Sequence, residues 1–129
     1  MPEKGKPLLN RLRATRSANQ GKSAEDEAIR LLTANGLKLL DRNFNTPMGE
    51  IDIVMLDPVR QTLVFVEVRV RNNPRWGGAA SSIDRPKQLR IRRAASMFLK
   101  HNPTLKALPC RFDAVCFEQE HHKWIRQAF

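Results

Sequence analysis

The sequence predicts an α/β fold, a mixed β-sheet flanked by helices in the order α-β-β-β-α-β-β. Two segments have helical periodicity, and each of them precedes a group of strand-like segments. Within the first group, a short turn joins two segments of alternating apolar residues, a pattern typical of an antiparallel hairpin. Strand, helix and strand then follow one another from Phe65 to Phe117, which suits a right-handed parallel crossover.

The first helix is predicted from Asn19 to Asn35, with Gly36 in the position of a C-cap glycine. Its apolar stripe consists of Ala24, Ala28, Leu31 and Leu32. Glu25 lies roughly 60° from the centre of this stripe, at about 100° per residue. Glu25 is therefore either a surface residue at the helix edge or a member of an acidic cluster beneath the helix.

Three strands follow, from Leu37 to Phe44, from Gly49 to Val54 and from Leu63 to Arg71. Turns are predicted at residues 45–49 and 57–61, where prolines interrupt the alternation.

In the second and third strands, alternation puts Glu50 and Asp52 on one face, and Glu67 and Arg69 on one face. The hairpin thus sets carboxylates from neighbouring strands side by side in a Val- and Ile-rich sheet. Ionised carboxylates are costly there unless they are paired or bound to a cation.

The second helix is predicted from Arg85 to His101, with Asp84 as its N-cap. Lys87 and Gln88 both lie roughly 50° from its inward direction, at the N-terminal end, where polar side chains can meet phosphate or the acidic cluster. The last strands are predicted at residues 110–117 and 122–127. We expect Cys110 and Cys116 to be buried, reduced residues.

Composition indicates one soluble domain. The chain has 129 residues, for which we expect a flexible basic arm over residues 1–17 and a single domain over residues 18–129. Its apolar runs are too short to span a bilayer and none resembles a signal peptide, so we expect a cytoplasmic protein without membrane contact.

Charge favours a nucleic-acid partner. The chain has 23 Lys and Arg against 13 Asp and Glu, a net charge of +10. A generic basic surface is the alternative to a surface for polyanions. Trp76 can either stack on a base or pack on the edge of the domain. The candidate contacts to nucleic acid are Arg71, Arg75, Trp76, Arg85, Lys87, Gln88 and Arg90.

Clustered carboxylates with few nitrogen or sulfur donors suit a hard cation, Mg²⁺ or Mn²⁺. Such a cation can polarise a phosphodiester and help to generate hydroxide, and a neighbouring basic side chain can offset charge on the phosphate. Together with the basic surface, these features favour metal-dependent phosphodiester hydrolysis. The alternative from another class is a non-catalytic nucleic-acid-binding module on the same fold.

The chain resembles the YraN family of bacterial proteins, which belongs with the restriction-endonuclease-like (PD-(D/E)XK) superfamily and whose closest well-understood relatives are archaeal Holliday-junction resolvases. The resemblance runs from about Gly21 to Phe129. It is carried by Glu25, Gly49-Glu50-Ile51-Asp52, Phe65-Val66-Glu67-Val68-Arg69, Lys87-Gln88, Arg111-Phe112-Asp113 and Ala128-Phe129.

This resemblance implies a single nuclease-like domain and a metal-dependent endonuclease that acts on DNA, including branched or structured DNA; a homodimer is compatible with it. It implies Asp52 and Glu67 as ligands of Mg²⁺ or Mn²⁺, with Glu25 supporting the metal or its water. Glu50 and Asp113 either support these ligands from behind or have a structural role.

One residue departs from the superfamily motif, which ends Glu-x-Lys, because the third position here is Arg69. Arginine stays protonated and can stabilise charge but cannot act as a base. Three interpretations remain open. Arg69 acts electrostatically, Lys87 substitutes from the second helix, or binding persists without catalysis. We expect the first, because strand alternation alone places Arg69 beside Glu67.

Overall fold

The computed structural model describes residues 23–71 and 83–129. The predicted basic arm over residues 1–17, and the candidate contacts Arg75 and Trp76, lie outside this range. The described part of helix α1 covers residues 23–34. The other elements are β1 (Lys38–Thr46), β2 (Gly49–Asp57), β3 (Thr62–Arg71), α2 (Arg85–His101), a 3₁₀ turn (Pro103–Leu105), β4 (Cys110–Glu118) and β5 (His121–Ile125).

The five strands form one sheet in the order β1-β2-β3-β4-β5. Neighbouring strands are antiparallel except for β3 and β4, which are parallel and joined through α2. The predicted α-β-β-β-α-β-β order and the mixed sheet are confirmed. None of the described helices is long and apolar enough to cross a membrane.

Each face of the sheet carries one apolar cluster. One lies against α1 and contains Ala28, Leu32, Ile53, Met55, Val64, Val66 and Val115. The other lies against α2 and contains Ile51, Val54, Leu63, Phe65, Ile91, Ala94, Ala95 and Phe98. The sheet is therefore buried on both sides, so polar side chains that point into either layer need a specific partner.

Helix α2 has the predicted bounds because its ends carry strong local signals. The carboxylate of Asp84 accepts a hydrogen bond from the Lys87 backbone N–H at 2.9 Å. Pro86 occupies the first turn, where its missing N–H costs nothing. Asn102 ends the helix, followed by a proline that begins the 3₁₀ turn.

The other bounds differ slightly from the sequence prediction. Strand β1 extends to Thr46, which pairs with Gly49. The hydroxyl of Thr46 accepts hydrogen bonds from the backbone N–H groups of Met48 and Gly49, which tightens the turn to residues 47–48. Strand β5 begins one residue earlier than predicted and ends at Ile125.

One burial prediction and one prediction of side-chain direction were wrong. Cys110 is exposed, because it is the first residue of β4, whereas Cys116 is buried as predicted; both thiols are free. Period-2 alternation in β2 also predicts that Ile51 and Ile53 point to the same face of the sheet, and they do not. Ile51 packs in the α2 cluster with Val54, while Ile53 packs in the α1 cluster. The change of side occurs at Asp52, where β2 separates from β3 while it stays paired with β1.

Candidate active site

The candidate site lies where β2 and β3 separate. The last pair of their ladder is Ile53 with Val66, and Asp52 and Glu67 are the next residue on each strand. Beyond this point β2 continues beside β1, while β3 continues beside β4 as far as Arg71. A carboxylate oxygen of Asp52 accepts a hydrogen bond from the Val68 backbone N–H at 2.8 Å. The side chain of Asp52 thus fills the place of the next ladder bond.

Asp52 and Glu67 lie against each other with little access to water. Burial, followed by a hydrogen bond and charge repulsion from Glu67, raises the pKa of Asp52 to about 8. Glu67 is only 3% exposed, and its Oε2 accepts no hydrogen bond within the described residues. At neutral pH the pair therefore holds a proton that an isolated aspartate would have lost.

Two basic side chains approach the same oxygen. The Lys87 ammonium lies 3.4 Å from Glu67 Oε2, and a terminal nitrogen of Arg69 lies 3.7 Å from it. Lys87 extends from the first turn of α2, and Arg69 lies two residues after Glu67 on β3. Both side chains extend towards the acid pair, as the sequence predicts. The two side chains that the sequence offers as the motif cation thus converge on Glu67.

Glu25 interacts electrostatically with Asp52, but its direct contact is with a different residue. Its carboxylate is 3.4 Å from a terminal nitrogen of Arg42, whose other nitrogen bonds to Asp26 at 2.9 Å. Burial and the charge of Asp52 raise the pKa of Glu25, and Arg42 partly offsets this rise. The sequence prediction did not include Arg42. The hairpin register places Arg42 opposite Ile53, a residue of the α1 cluster, whereas its contact with Glu25 depends on how α1 packs on the sheet.

The donor set fits a partly hydrated Mg²⁺ or Mn²⁺ better than a closed protein cage. In the part of the chain that the structure describes, no group of three His, Cys, Asp or Glu side chains could hold a metal. Asp52 and Glu67 form a group of two, supplemented by Glu25 only through its charge. Mg²⁺ is usually bound by one or two carboxylates, with waters and substrate phosphate completing the shell. The buried oxygen of Glu67 without a hydrogen bond agrees with such a ligand role.

The remaining predicted residues are distributed around the pair. Glu50 is exposed and borders a surface pocket of about 390 Å³ together with Lys87 and Arg90. Arg85 is also exposed on α2, and Arg71 is partly buried at the end of β3. Gln88 does not turn to the acids, because its side-chain amide donates to the Ile83 carbonyl at 3.0 Å.

Asp113 belongs to a separate buried network. It accepts hydrogen bonds from the Arg111 guanidinium at 3.1 Å, the Trp124 indole at 2.9 Å and the Gln127 backbone N–H at 3.1 Å. Arg111 also bonds to Asp57 at 3.2 Å. This network connects β4 with the end of β2 and with the last residues of the chain. The sequence left two roles open for Asp113, support of the metal ligands or a structural role. These contacts agree with the structural role.

Comparison with known families matches the chain to one of them. Residues 24–117 match the model of the uncharacterised protein family UPF0102. This chain belongs to UPF0102. The match confirms the resemblance to the YraN family and spans Glu25, Asp52, Glu67 and Lys87.

Curated relatives agree with this membership. A UPF0102 protein of Alkalilimnicola ehrlichii is 43% identical over 124 residues, covering 94% of this chain and 97% of its own. Relatives from Alcanivorax borkumensis, at 42%, and Pseudomonas putida (strain GB-1), at 46%, cover 86% and 84% of this chain and 91% of their own. Their names give no activity, so UPF0102 membership establishes the family and leaves the chemistry to the site.

Proposed function

We propose that this UPF0102 protein is a metal-dependent endonuclease that hydrolyses phosphodiester bonds in DNA, with branched or otherwise structured DNA as its substrate. The observation that carries this proposal is the Asp52–Glu67 pair at the separation of β2 and β3, in which Glu67 is buried and Lys87 and Arg69 are directed at it. A pair of acids held together in an apolar sheet destabilises the fold unless a cation or proton compensates.

Asp52 and Glu67 are the residues that would hold Mg²⁺ or Mn²⁺. When bound, the cation supplies a polarised phosphate and a water of lowered pKa. The Val68 N–H holds one oxygen of the Asp52 carboxylate, which restricts the orientation of this side chain. Glu25, whose pKa is raised by burial and then by Asp52, stands beside this pair as a support for the metal or its water.

Lys87 and Arg69 supply positive charge where negative charge develops on the phosphate. Both lie within 4 Å of Glu67 and both are partly exposed, which leaves them accessible to substrate. Arg69 acts through its fixed charge, since a guanidinium does not release a proton in proteins. Lys87 is the nearby side chain that can lose a proton, and it remains the alternative for base chemistry.

The sheet register supports a phosphate-binding surface next to the pair. Arg69 pairs with Cys116 on β4, which pairs with Lys123 on β5, so the three side chains share one face with Glu67. Burial raises the pKa of the Cys116 thiol, whereas the charges of Arg69 and Lys123 lower it, which agrees with their closeness. Together with the net charge of +10, this row favours the nucleic-acid backbone.

A non-catalytic nucleic-acid-binding module is the second candidate, favoured by Arg69 at the position of the motif lysine. Metal-dependent turnover separates the two. Linear duplex and four-way-junction DNA are incubated with wild type and with an identically purified Asp52→Asn variant, in Mn²⁺, in Mg²⁺ and in chelator. We expect the wild type to cleave DNA only when Mn²⁺ or Mg²⁺ is present. Equal cleavage by Asp52→Asn, or binding without cleavage under every condition, would reject the nuclease.

A further inference from the structure

The pocket beside the acid pair is formed by the β1–β2 turn and the first turns of α2. It has a volume of about 390 Å³, in the range of small-molecule sites. Its lining includes Asn45, Pro47, Met48 and Glu50 from the hairpin, and Lys87 and Arg90 from the helix. Because the Lys87 ammonium also lies 3.4 Å from Glu67, Lys87 links the pocket to the candidate metal ligands.

The backbone holds this pocket in shape. The Thr46 hydroxyl accepts from the N–H groups of Met48 and Gly49 at 3.1 Å and donates to the Gly49 carbonyl at 2.8 Å. Gly49 rests on α2, since a β-carbon there would lie 2.8 Å from the Arg90 carbonyl carbon. The turn and the helix are thus in contact through their backbones, and the space between their side chains exists before any ligand binds.

The lining combines apolar surface with polar groups at its border. Met48 is 51% exposed and Pro47 adjoins it, so both offer apolar surface to a ligand in the pocket. Asn45 and Glu50 offer acceptors, and Arg90 offers donors and a flat cationic surface. A nucleobase has this same combination of an apolar face and polar edges. A free phosphate suits the pocket less well, because Glu50 repels it.

Building on the proposed endonuclease function, we infer that this pocket takes one unpaired nucleotide adjoining the phosphate at the Asp52–Glu67 pair. The base packs on Met48 and donates from its edge to Glu50, while Lys87 and Arg90 meet its phosphates. A paired base cannot enter without leaving the stack, which costs free energy. The pocket therefore selects nucleic acid that already carries an unpaired nucleotide, as branched and tailed structures do.

The test measures binding in chelator, so that cleavage plays no part. Fluorescence anisotropy compares a blunt duplex with the same duplex carrying a short single-stranded tail at either end, of cytosine or of thymine. We expect wild type to bind a tailed duplex about tenfold more tightly than the blunt one. We also expect a preference for cytosine, whose amino group can donate to Glu50.

Met48→Ala should reduce the tail preference to about twofold or less, and Glu50→Gln should remove the preference for cytosine. The control is Lys100→Ala in the exposed last turn of α2, roughly 20 Å along the helix from Lys87. It should weaken binding to both duplexes by the same factor, if at all. Circular dichroism and thermal melting verify that each variant is folded.

The inference is overturned if wild type binds tailed and blunt duplexes equally, or if Met48→Ala and Glu50→Gln keep the wild-type preferences. These results are separate from the fate of the nuclease proposal. A protein that shows the tail preference and cleaves nothing retains the pocket and loses the catalytic function. A protein that cleaves in Mn²⁺ without tail preference retains the catalytic function and loses the pocket.

Discussion

Two groups of buried acids lie in the same sheet and differ in what surrounds them. Asp113 is fully buried, and Arg111, Trp124 and the Gln127 backbone all donate hydrogen bonds to it. Glu67 is almost as buried, yet its Oε2 accepts no hydrogen bond within the described residues and its carboxyl neighbour is Asp52. Burial alone therefore does not distinguish structural from functional acids. The distribution of donors does.

Electrostatics separates the two groups in the same way. In the Asp113 network, burial raises the pKa of Asp57, but hydrogen bonds from Arg60 and Arg111 outweigh it and the pKa is lowered. At the candidate site, burial and Glu67 together raise the pKa of Asp52 to about 8. Asp113 and Asp57 are compensated by donors of the protein, and one buried nitrogen of Arg111 even lacks an acceptor within the described residues. The Asp52–Glu67 pair has too few donors instead and needs a proton or an external cation. This is the pattern expected when an acid serves a ligand and not the fold.

The largest expected difference concerns activity. Glu67→Gln should reduce metal-dependent DNA cleavage by at least about 10³-fold, roughly 4 kcal/mol in barrier, because it removes a metal ligand. Asp113→Asn should retain near wild-type turnover once rates are corrected for the folded fraction. Single-turnover cleavage assays with both variants check this. Similar losses in the two folded variants would erase the distinction between the acids.

Stability should respond in the opposite sense. Asp113→Ala removes the carboxylate that contacts the buried Arg111 guanidinium. We expect this to decrease the free energy of unfolding by about 3–5 kcal/mol. Asp52→Asn should be neutral or stabilising without metal, because the amide never acquires a charge that Glu67 repels and its oxygen can still accept from the Val68 backbone N–H. Urea denaturation in chelator measures both. A larger loss for Asp52→Asn than for Asp113→Ala would reverse our interpretation.

The pH dependence of stability tests the same contrast more finely. The folded state holds a proton on Asp52 up to about pH 8, whereas the unfolded state releases it near 3.8. The folded state thus binds more protons in this window, and stability should fall as pH rises, by at most about 1.4 kcal/mol per pH unit for one group. Glu25, whose pKa is also raised, adds a contribution of the same sign.

Asp52→Asn should flatten this slope between pH 5 and 7.5 in chelator. The range lies above the window in which Asp57 takes up its proton, since the folded pKa of Asp57 is lowered from 3.8. Glu120→Gln, at an exposed turn position, is the matched control and should leave the slope unchanged. An identical slope in Asp52→Asn would show that the pair does not hold the extra proton.

The smallest expected effect concerns the cation beside Glu67. If the fixed charge of Arg69 is sufficient, Arg69→Lys should retain activity within about tenfold, about 1.4 kcal/mol in barrier. Arg69→Ala should be clearly weaker, because one of the two charges near Glu67 is lost. If Lys87 is instead the base, Lys87→Ala abolishes cleavage and Arg69→Ala only weakens it. Full activity in Arg69→Ala would refute the electrostatic role.

Local signals explain why much of the fold and the acid pair could be predicted. The bounds of α2 depend on local signals, which are Asp84 and Pro86 at its start and Asn102 at its end. They could therefore be predicted without tertiary information. The closeness of Asp52 and Glu67 follows from the short turn between β2 and β3, which determines the register of this hairpin up to the Ile53–Val66 pair.

Contacts between distant segments could not be predicted. Arg111 reaches Asp57 across 54 residues, and Trp124 reaches Asp113 only because β5 lies beside β4. Arg42 contacts Glu25 across 17 residues, and this contact depends on how α1 packs on the sheet, which no local signal determines. Residue type alone also mispredicted Cys110, whose exposure depends on its position at the start of β4.

The most direct test of the central claim is Mn²⁺ binding to the acid pair. Wild type and Asp52→Asn/Glu67→Gln are titrated with Mn²⁺ by calorimetry and by thermal melting at constant pH. We expect wild type to bind Mn²⁺ and to gain about 2.7 kcal/mol of stability at 100 times its Kd, with no comparable gain in the double variant. Equal stabilisation of both proteins would show that Asp52 and Glu67 are not the metal site.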